Sequence, residues 1–356
     1  MLTKILSLTK QFISIPSIKE NNKALHEVLD IAKGELSGFH IEEFEKDGIP
    51  SILVYKENKK LRNFKIILDA HLDVVPGNKE QYASVEKDGR LYARGAFDMK
   101  AAAAVELLVF KEVAQKVNYP LALQLVTDEE IGGFNGAKYQ ADEGVRAEFA
   151  IAGEGTDLKV KNEAKGVLWA NLSIKGKTAH AAYLWQGSNA IRMMNQALNQ
   201  LAKKFPEPQK PIWKTTLNLS TINSSNQTYN KVADDCTVGI DIRYIPKDTE
   251  TIVSLLKKTL PSYVQLDIKV KEPAQFTSKN NVYLKKLQNA VKKSINKSAS
   301  IIAGYGASDI RHFNRVGCDG VEFGPTGYGL HTDCEWVDIN SLKEYYISLK
   351  RFLLDV

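Results

Sequence analysis

Two spacings of apolar residues alternate along this chain. Over residues 2–15, Leu2, Ile5, Leu6, Thr9, Phe12 and Ile13 recur three and four positions apart, with Lys4, Lys10 and Gln11 between them. That period predicts an amphipathic helix rather than the unbroken apolar core of a cleaved leader. A second helix is predicted over 22–36. Short apolar runs follow at 52–55, 64–70, 121–127 and 149–152, with an alanine-rich helix over 99–116 that Pro120 terminates. Strand-like and helix-like segments in alternation predict an α/β layered sheet.

The rhythm then changes. From Lys165 to Lys271 the pattern predicts strand 168–174, helix 189–205, strands 216–222 and 236–244, helix 249–259 and strand 264–270. That order, βαββαβ, makes a complete ferredoxin-like sandwich. The expectation is therefore a mixed sheet flanked by helices, built from 1–164 and 272–356, with residues 165–271 inserted as a second domain. Helices over 281–296 and 339–354 belong to the resumed first domain.

Composition changes this picture little. The 356 residues are 44% hydrophobic and 25% charged, within the ordinary range of globular chains. The net charge of +6 is spread along helices and loops, not gathered on an aromatic-studded face, which argues against a nucleic-acid partner. No apolar run approaches the roughly 20 residues of a membrane span. Cys236, Cys318 and Cys334 are odd in number and irregularly spaced, so neither a disulfide framework nor a CxxC knuckle is expected. A reducing, cytoplasmic setting is the expectation.

The candidate chemistry sits where apolar runs end. His71 and Asp73 follow the run 66–70, and residues two apart on an extended chain point to one side. Asp98 precedes the alanine-rich helix, where capping is the alternative role. Asp128, Glu129 and Glu130 lie between an apolar strand and Gly132-Gly133; a solvated acidic turn is the other reading of these three. Glu154 follows the run 149–152, and His331 lies in a glycine-rich stretch. Acids so crowded repel unless a cation lies among them. Imidazoles and carboxylates without thiolate suit Zn²⁺, Co²⁺ or Mn²⁺ better than Ca²⁺. Five ligands are more than one catalytic zinc uses, and two ions sharing a carboxylate is the natural count.

In order along nearly the whole chain, several segments resemble the M20 metallopeptidase family of acetylornithine deacetylases, succinyl-diaminopimelate desuccinylases, aminoacylases and carboxypeptidase G-type enzymes. They are His71-Leu72-Asp73-Val74-Val75-Pro76, Arg94-Gly95-Ala96-Phe97-Asp98-Met99-Lys100, Thr127-Asp128-Glu129-Glu130, Gly153-Glu154 and His331-Thr332-Asp333-Cys334-Glu335. The resemblance implies a metallopeptidase-type sheet and an inserted lid used for homodimerisation. It implies that Asp98 bridges two metals, that His71 and Glu154 complete one, and that Glu130 and His331 complete the other. Glu129 would be the general base and Asp73 the partner that orients His71. His180, in Thr178-Ala179-His180-Ala181, resembles a histidine that stabilises the oxyanion, often in the partner subunit's site. Arg243 resembles an arginine that grips a substrate carboxylate, and Asn230 would line the same pocket. Without the resemblance, His180 reads as a strand-end histidine and Arg243 as an edge-strand charge. Ala101, Ala233 and Gly155 depart from common family residues without removing a ligand, which leaves the subfamily open.

The activity implied is hydrolysis of an N-acyl amino acid, of the deacetylase or desuccinylase kind, by water shared between two divalent ions. A dipeptidase or aminopeptidase with the same metal core is the alternative. A metal-dependent binding protein without catalysis is a third, opposed by the presence of every ligand and of the base.

Overall fold

The computed structural model describes residues 1–356 and separates them into two compact units. The first comprises Met1–Glu163, Phe276–Ala303 and Ser308–Val356, and the second Ala164–Gln275 with Gly304–Ala307.

The first unit is layered α/β. Its main sheet has nine strands, seven of which run in the order His40–Lys46, Ile49–Tyr55, Leu121–Val126, Asn63–His71, Arg146–Ala152, Asp319–Glu322 and Val160–Ala164. The four from Leu121–Val126 to Asp319–Glu322 are mutually parallel, and the flanking pairs are antiparallel. Every residue of Leu121–Val126 is buried, as expected of a strand covered on both faces. The alanine-rich helix occupies Lys100–Val113, and Ala101 to Ala104 are all 0% exposed. Side chains this small let the helix approach the sheet closely, while larger residues on its other turns reach the helices around it. Ile339–Asp355 packs against this helix and against Val282–Ile295, burying Leu342, Tyr345, Leu349 and Phe352. Parallel strands direct their C-terminal ends to one edge, where open α/β sheets bind ligands.

A smaller four-stranded sheet orders Gly327–Tyr328, Trp336–Asp338, Arg90–Tyr92 and Val85–Lys87. The spacing of apolar residues does not predict it, because its strands are two or three residues long. Nor does that spacing predict the hairpin strand His40–Lys46, which reads HIEEFEK and buries only Phe44.

The second unit is an antiparallel sheet in the order Thr216–Asn223, Asp235–Tyr244, Gly166–Lys175, Gln265–Glu272, with helices Ala190–Lys204 and Ile252–Thr259. This is the strand order of a ferredoxin-like βαββαβ fold. Along Asp235–Tyr244 exposure alternates, with Cys236, Val238, Ile240, Ile242 and Tyr244 turned inward. They meet Met194, Ala197, Leu201 and Leu256 of the helices in a separate apolar core. Asn189 caps the longer helix by accepting from the N–H groups of Ile191 and Arg192. The second helix starts later than its sequence pattern predicts, because Pro246–Asp248 forms a 3-10 turn first. No helix of the chain is long and apolar enough to cross a membrane.

Candidate metal centre

His71 is the last residue of the strand Asn63–His71, which lies between Leu121–Val126 and Arg146–Ala152. Its strand neighbours end in Thr127–Glu130 and in Gly153-Glu154, so topology brings one imidazole and several carboxylates to the same edge. His71 is 1% exposed. Its Nδ1 lies 3.0 Å from the backbone carbonyl of Asp73 and 3.5 Å from that residue's Oδ1. The opposite nitrogen, Nε2, faces Asp98 Oδ1 at 3.1 Å and Glu154 Oε1 at 3.7 Å.

Asp98 arrives from the loop between Arg90–Tyr92 and the alanine-rich helix. The helix begins at Lys100 with Met99 as its cap residue and no side-chain cap, so Asp98 does not serve as a cap; its peptide to Met99 is cis. Instead its second oxygen, Oδ2, faces His331 Nε2 at 3.1 Å, and that nitrogen is 2.9 Å from Glu130 Oε2. Two groups result, His71–Asp98–Glu154 and Asp98–Glu130–His331, each with its donor atoms within 4.8 Å of one another. Asp98 is common to both, one oxygen to each imidazole.

Asp73 holds the acidic turn in place. Its Oδ1 accepts from the Glu129 N–H at 3.2 Å and its Oδ2 from the Glu130 N–H at 3.0 Å, at the start of the 3-10 turn Glu129–Ile131. An anion there satisfies amides that the turn itself leaves unpaired. Asp73 meets His71 through its backbone carbonyl and, at 3.5 Å, through its carboxylate, which also serves the turn.

The electrostatics of the cluster are those of an anionic pocket. Burial would lower the His71 pKa, but the carboxylates of Asp73 and Asp98 raise it well above the usual imidazole value. Hydrogen bonds to Asp98 and Glu130 push His331, which is half-exposed, up to about 10. Burial favours a neutral Asp98, yet His331 and His71 together hold its carboxyl far below the usual range. Burial raises Glu154 and Glu129 well above the ordinary glutamate value, reinforced by Asp98 in each case. Asp98, Glu130 and Glu154 form ion pairs with the two imidazoles. Two nitrogens and three carboxylates, with one carboxylate common to both groups, is a donor set that fits two dications. The Glu129 side chain stands beside this set and makes no hydrogen bond to protein, leaving its oxygens available.

Sequence reading did not single out several buried acids around the centre. Asp69 lies two residues before His71 on the same strand, and burial, followed by the charge of Glu154, pushes it up to about 8. Alternation along that strand was the available signal. Asp309, buried with both oxygens lacking a hydrogen bond, comes from a distant part of the chain that no local pattern connects to this edge.

The remaining candidates belong to the second unit. His180 forms an isolated bridge with Lys231, and the Ala181 N–H donates to the Asn230 carbonyl at 2.8 Å, so His180 and Asn230 sit on adjoining segments. The Ala182 N–H donates to His180 Nδ1 at 3.1 Å. Arg243 lies on the outward face of Asp235–Tyr244, where its Nε and Nη2 donate to Asp241 at 2.9 and 3.0 Å.

A parallel-sheet edge carrying a shared carboxylate between two imidazole–carboxylate groups is an arrangement suited to a metal-dependent hydrolase. The chain belongs to peptidase family M20/M25/M40, whose sequence profile matches residues 67–355. It is 29% identical over 389 aligned positions to the succinyl-diaminopimelate desuccinylase of Buchnera aphidicola, covering 99% of this chain and all of that protein. In fold it is similar to a tripeptidase from Staphylococcus aureus, with a TM-score of 0.79, 22% identity and coverage of 99% and 98%. It is also similar to a Bacillus subtilis protein described as a dinuclear metal binding peptidase from the M20 family, with a TM-score of 0.71, 13% identity and coverage of 99% and 97%. It is thus an enzyme that hydrolyses carbon–nitrogen amide bonds with the aid of metal.

Proposed function

We propose that this protein is a two-metal amidohydrolase that removes the acyl group from an N-acyl amino acid. The observation that carries the reading is Asp98, whose two oxygens face different imidazoles at 3.1 Å each, with Glu154 and Glu130 completing the two groups. His71, Asp98 and Glu154 would hold one ion and Asp98, Glu130 and His331 the other, with Zn²⁺ the first choice and Co²⁺ or Mn²⁺ the alternatives. Two such cations, when bound, polarise the scissile carbonyl and acidify water.

Glu129 is the general base. Burial, with Asp309 and Asp98, raises its proton affinity against the opposing charges of His71 and Arg311. A carboxylate so tuned takes a proton from the attacking water and returns it to the leaving nitrogen. Asp73 fixes the turn that presents Glu129, through the two backbone bonds described above. His180 accepts a hydrogen bond at Nδ1, which leaves Nε2 as the donor toward an oxyanion. Arg243 keeps Nη1 free of Asp241 and would bind a substrate carboxylate through it, with Asn230 lining the same pocket. The second unit acts as a lid and as the surface of a homodimer, and the enzyme works in the cytoplasm.

The full-length likeness to desuccinylases supports an acidic acyl group such as succinyl, and the net charge of +6 suits anionic substrates. The test is a panel of N-succinyl and N-acetyl amino acids beside unblocked di- and tripeptides, each with and without chelator. Chelator-sensitive cleavage of the N-acyl compounds is expected. Turnover of the free peptides alone would replace this reading with that of a peptidase.

A further inference from the structure

The two loops that carry Asp98 and His331 come from distant parts of the chain, and one buried side chain joins them. Glu335 follows His331 by four residues and is 2% exposed. Its Oε1 accepts from the N–H groups of Phe97 and Asp98 at 2.9 and 3.1 Å. Its Oε2 accepts from the Gly95 N–H at 3.1 Å and from Arg94 Nη1 at 2.8 Å, and Arg94 is itself 3% exposed. Four donors on one carboxylate use its full acceptor capacity. The Glu335 carbonyl adds a fifth link, accepting from the Ala93 N–H at 3.2 Å. The small sheet continues the connection, since Trp336 pairs with Tyr92 in register.

We infer that Glu335 is a positioning residue for the metal centre, locking the Arg94–Asp98 loop to the His331 loop so that Asp98 and His331 converge. It touches neither substrate nor reacting atoms. Its carboxylate grips the backbone amide of Asp98 itself, and therefore the direction in which that side chain leaves the chain. Without it the amides of Gly95, Phe97 and Asp98 lose their acceptor in a buried place, and the loop must rearrange to satisfy them. The inference rests on the metal reading above.

The test compares wild type with Glu335→Gln, Glu335→Ala and Leu349→Ala. Leu349 is 0% exposed in the helix Ile339–Asp355, so its truncation lowers stability without touching either loop. Co²⁺ is titrated into metal-free protein by calorimetry, with the visible absorption of the bound ion recorded alongside. Wild type is expected to bind two ions. Glu335→Ala should weaken the ion at Asp98, Glu130 and His331 about 10–100-fold and alter its spectrum, the range seen when partners behind metal ligands are removed. Glu335→Gln should fall between, because its amide oxygen retains two of the N–H bonds while its NH₂ faces the other donors; it also carries the test if the alanine variant does not fold. Leu349→Ala should bind both ions as wild type does. Wild-type affinity and spectrum in the Glu335 variants would overturn the inference, as would an equal loss in Leu349→Ala. Failure of wild-type protein to take up two ions would instead overturn the reading of the centre.

Discussion

Replacing Glu129 with glutamine separates chemistry from metal binding in a single change. The amide is close to isosteric with the protonated acid but cannot accept the proton of attacking water. Loss of a general base costs 10²–10⁴ in rate, which at 1.36 kcal/mol per decade is about 2.7–5.4 kcal/mol of transition-state stabilisation. The structure predicts what else should change. The Glu129 side chain makes no hydrogen bond to protein, so the substitution removes no contact that holds the fold. Burial, with Asp309 and Asp98 nearby, disfavours its charged form, so a neutral side chain relieves repulsion. In metal-free protein the melting temperature of the variant should therefore equal or exceed that of wild type, and the variant should still take up both metal ions. The assay is kcat on the best substrate of the acyl panel, with metal counted by mass spectrometry on the same preparation. A rate within threefold of wild type, or loss of metal together with rate, would refute the assignment of the base.

Asp98→Asn should reduce bound metal from two ions to one or none, because one oxygen of Asp98 serves each group; two tightly held ions in the variant would show that Asp98 does not bridge. Metal uptake should release protons. His331 is raised to about 10, so it carries a proton at pH 7 that a dication must displace, and apparent affinity should rise by up to tenfold per pH unit per proton as pH climbs toward 10. Calorimetry in buffers of differing ionisation enthalpy reads that release, and a pH-independent affinity between 6 and 8 would contradict it. Leu349→Ala should cost about 2–5 kcal/mol in chemical denaturation, as truncation of a buried leucine does, while two ions remain bound.

Much of this architecture could be read from spacing alone, for a definite reason. The parallel strands are covered on both faces, so they stand out as continuous apolar runs, and the residue after each run is necessarily at the sheet edge. That rule points to His71, Glu129, Glu130 and Glu154 as candidates. Asp98 was ambiguous between cap and site, and only the helix start at Lys100 decides against the cap. What spacing could not supply were contacts made across the chain by short or polar elements. The strands Val85–Lys87 and Gly327–Tyr328 have no period to detect, yet their sheet adjoins both ligand loops. Glu335 ends the segment His331–Glu335, but spacing gives it no role, because its partners lie on the far side of the sequence. Asp69 and Asp309 are hidden for different reasons: the first sits inside an apolar run, and the second is the N-cap residue of a helix of only six residues, Ile310–Arg315.

The chain leaves the first unit beyond Val160–Ala164 and returns at Phe276, and these two points are stitched together. The Thr277 N–H donates to the Asn162 carbonyl at 2.8 Å, and the Asn162 side-chain amide donates to the Thr277 carbonyl at 2.7 Å. Departure and re-entry are thus adjacent rungs of a single ladder. The entropy of closing the intervening polypeptide grows only slowly with its length, by about 0.6 kcal/mol per doubling. Evolution can therefore lengthen, shorten or reshape the excursion between those rungs with little effect on the metal-bearing body.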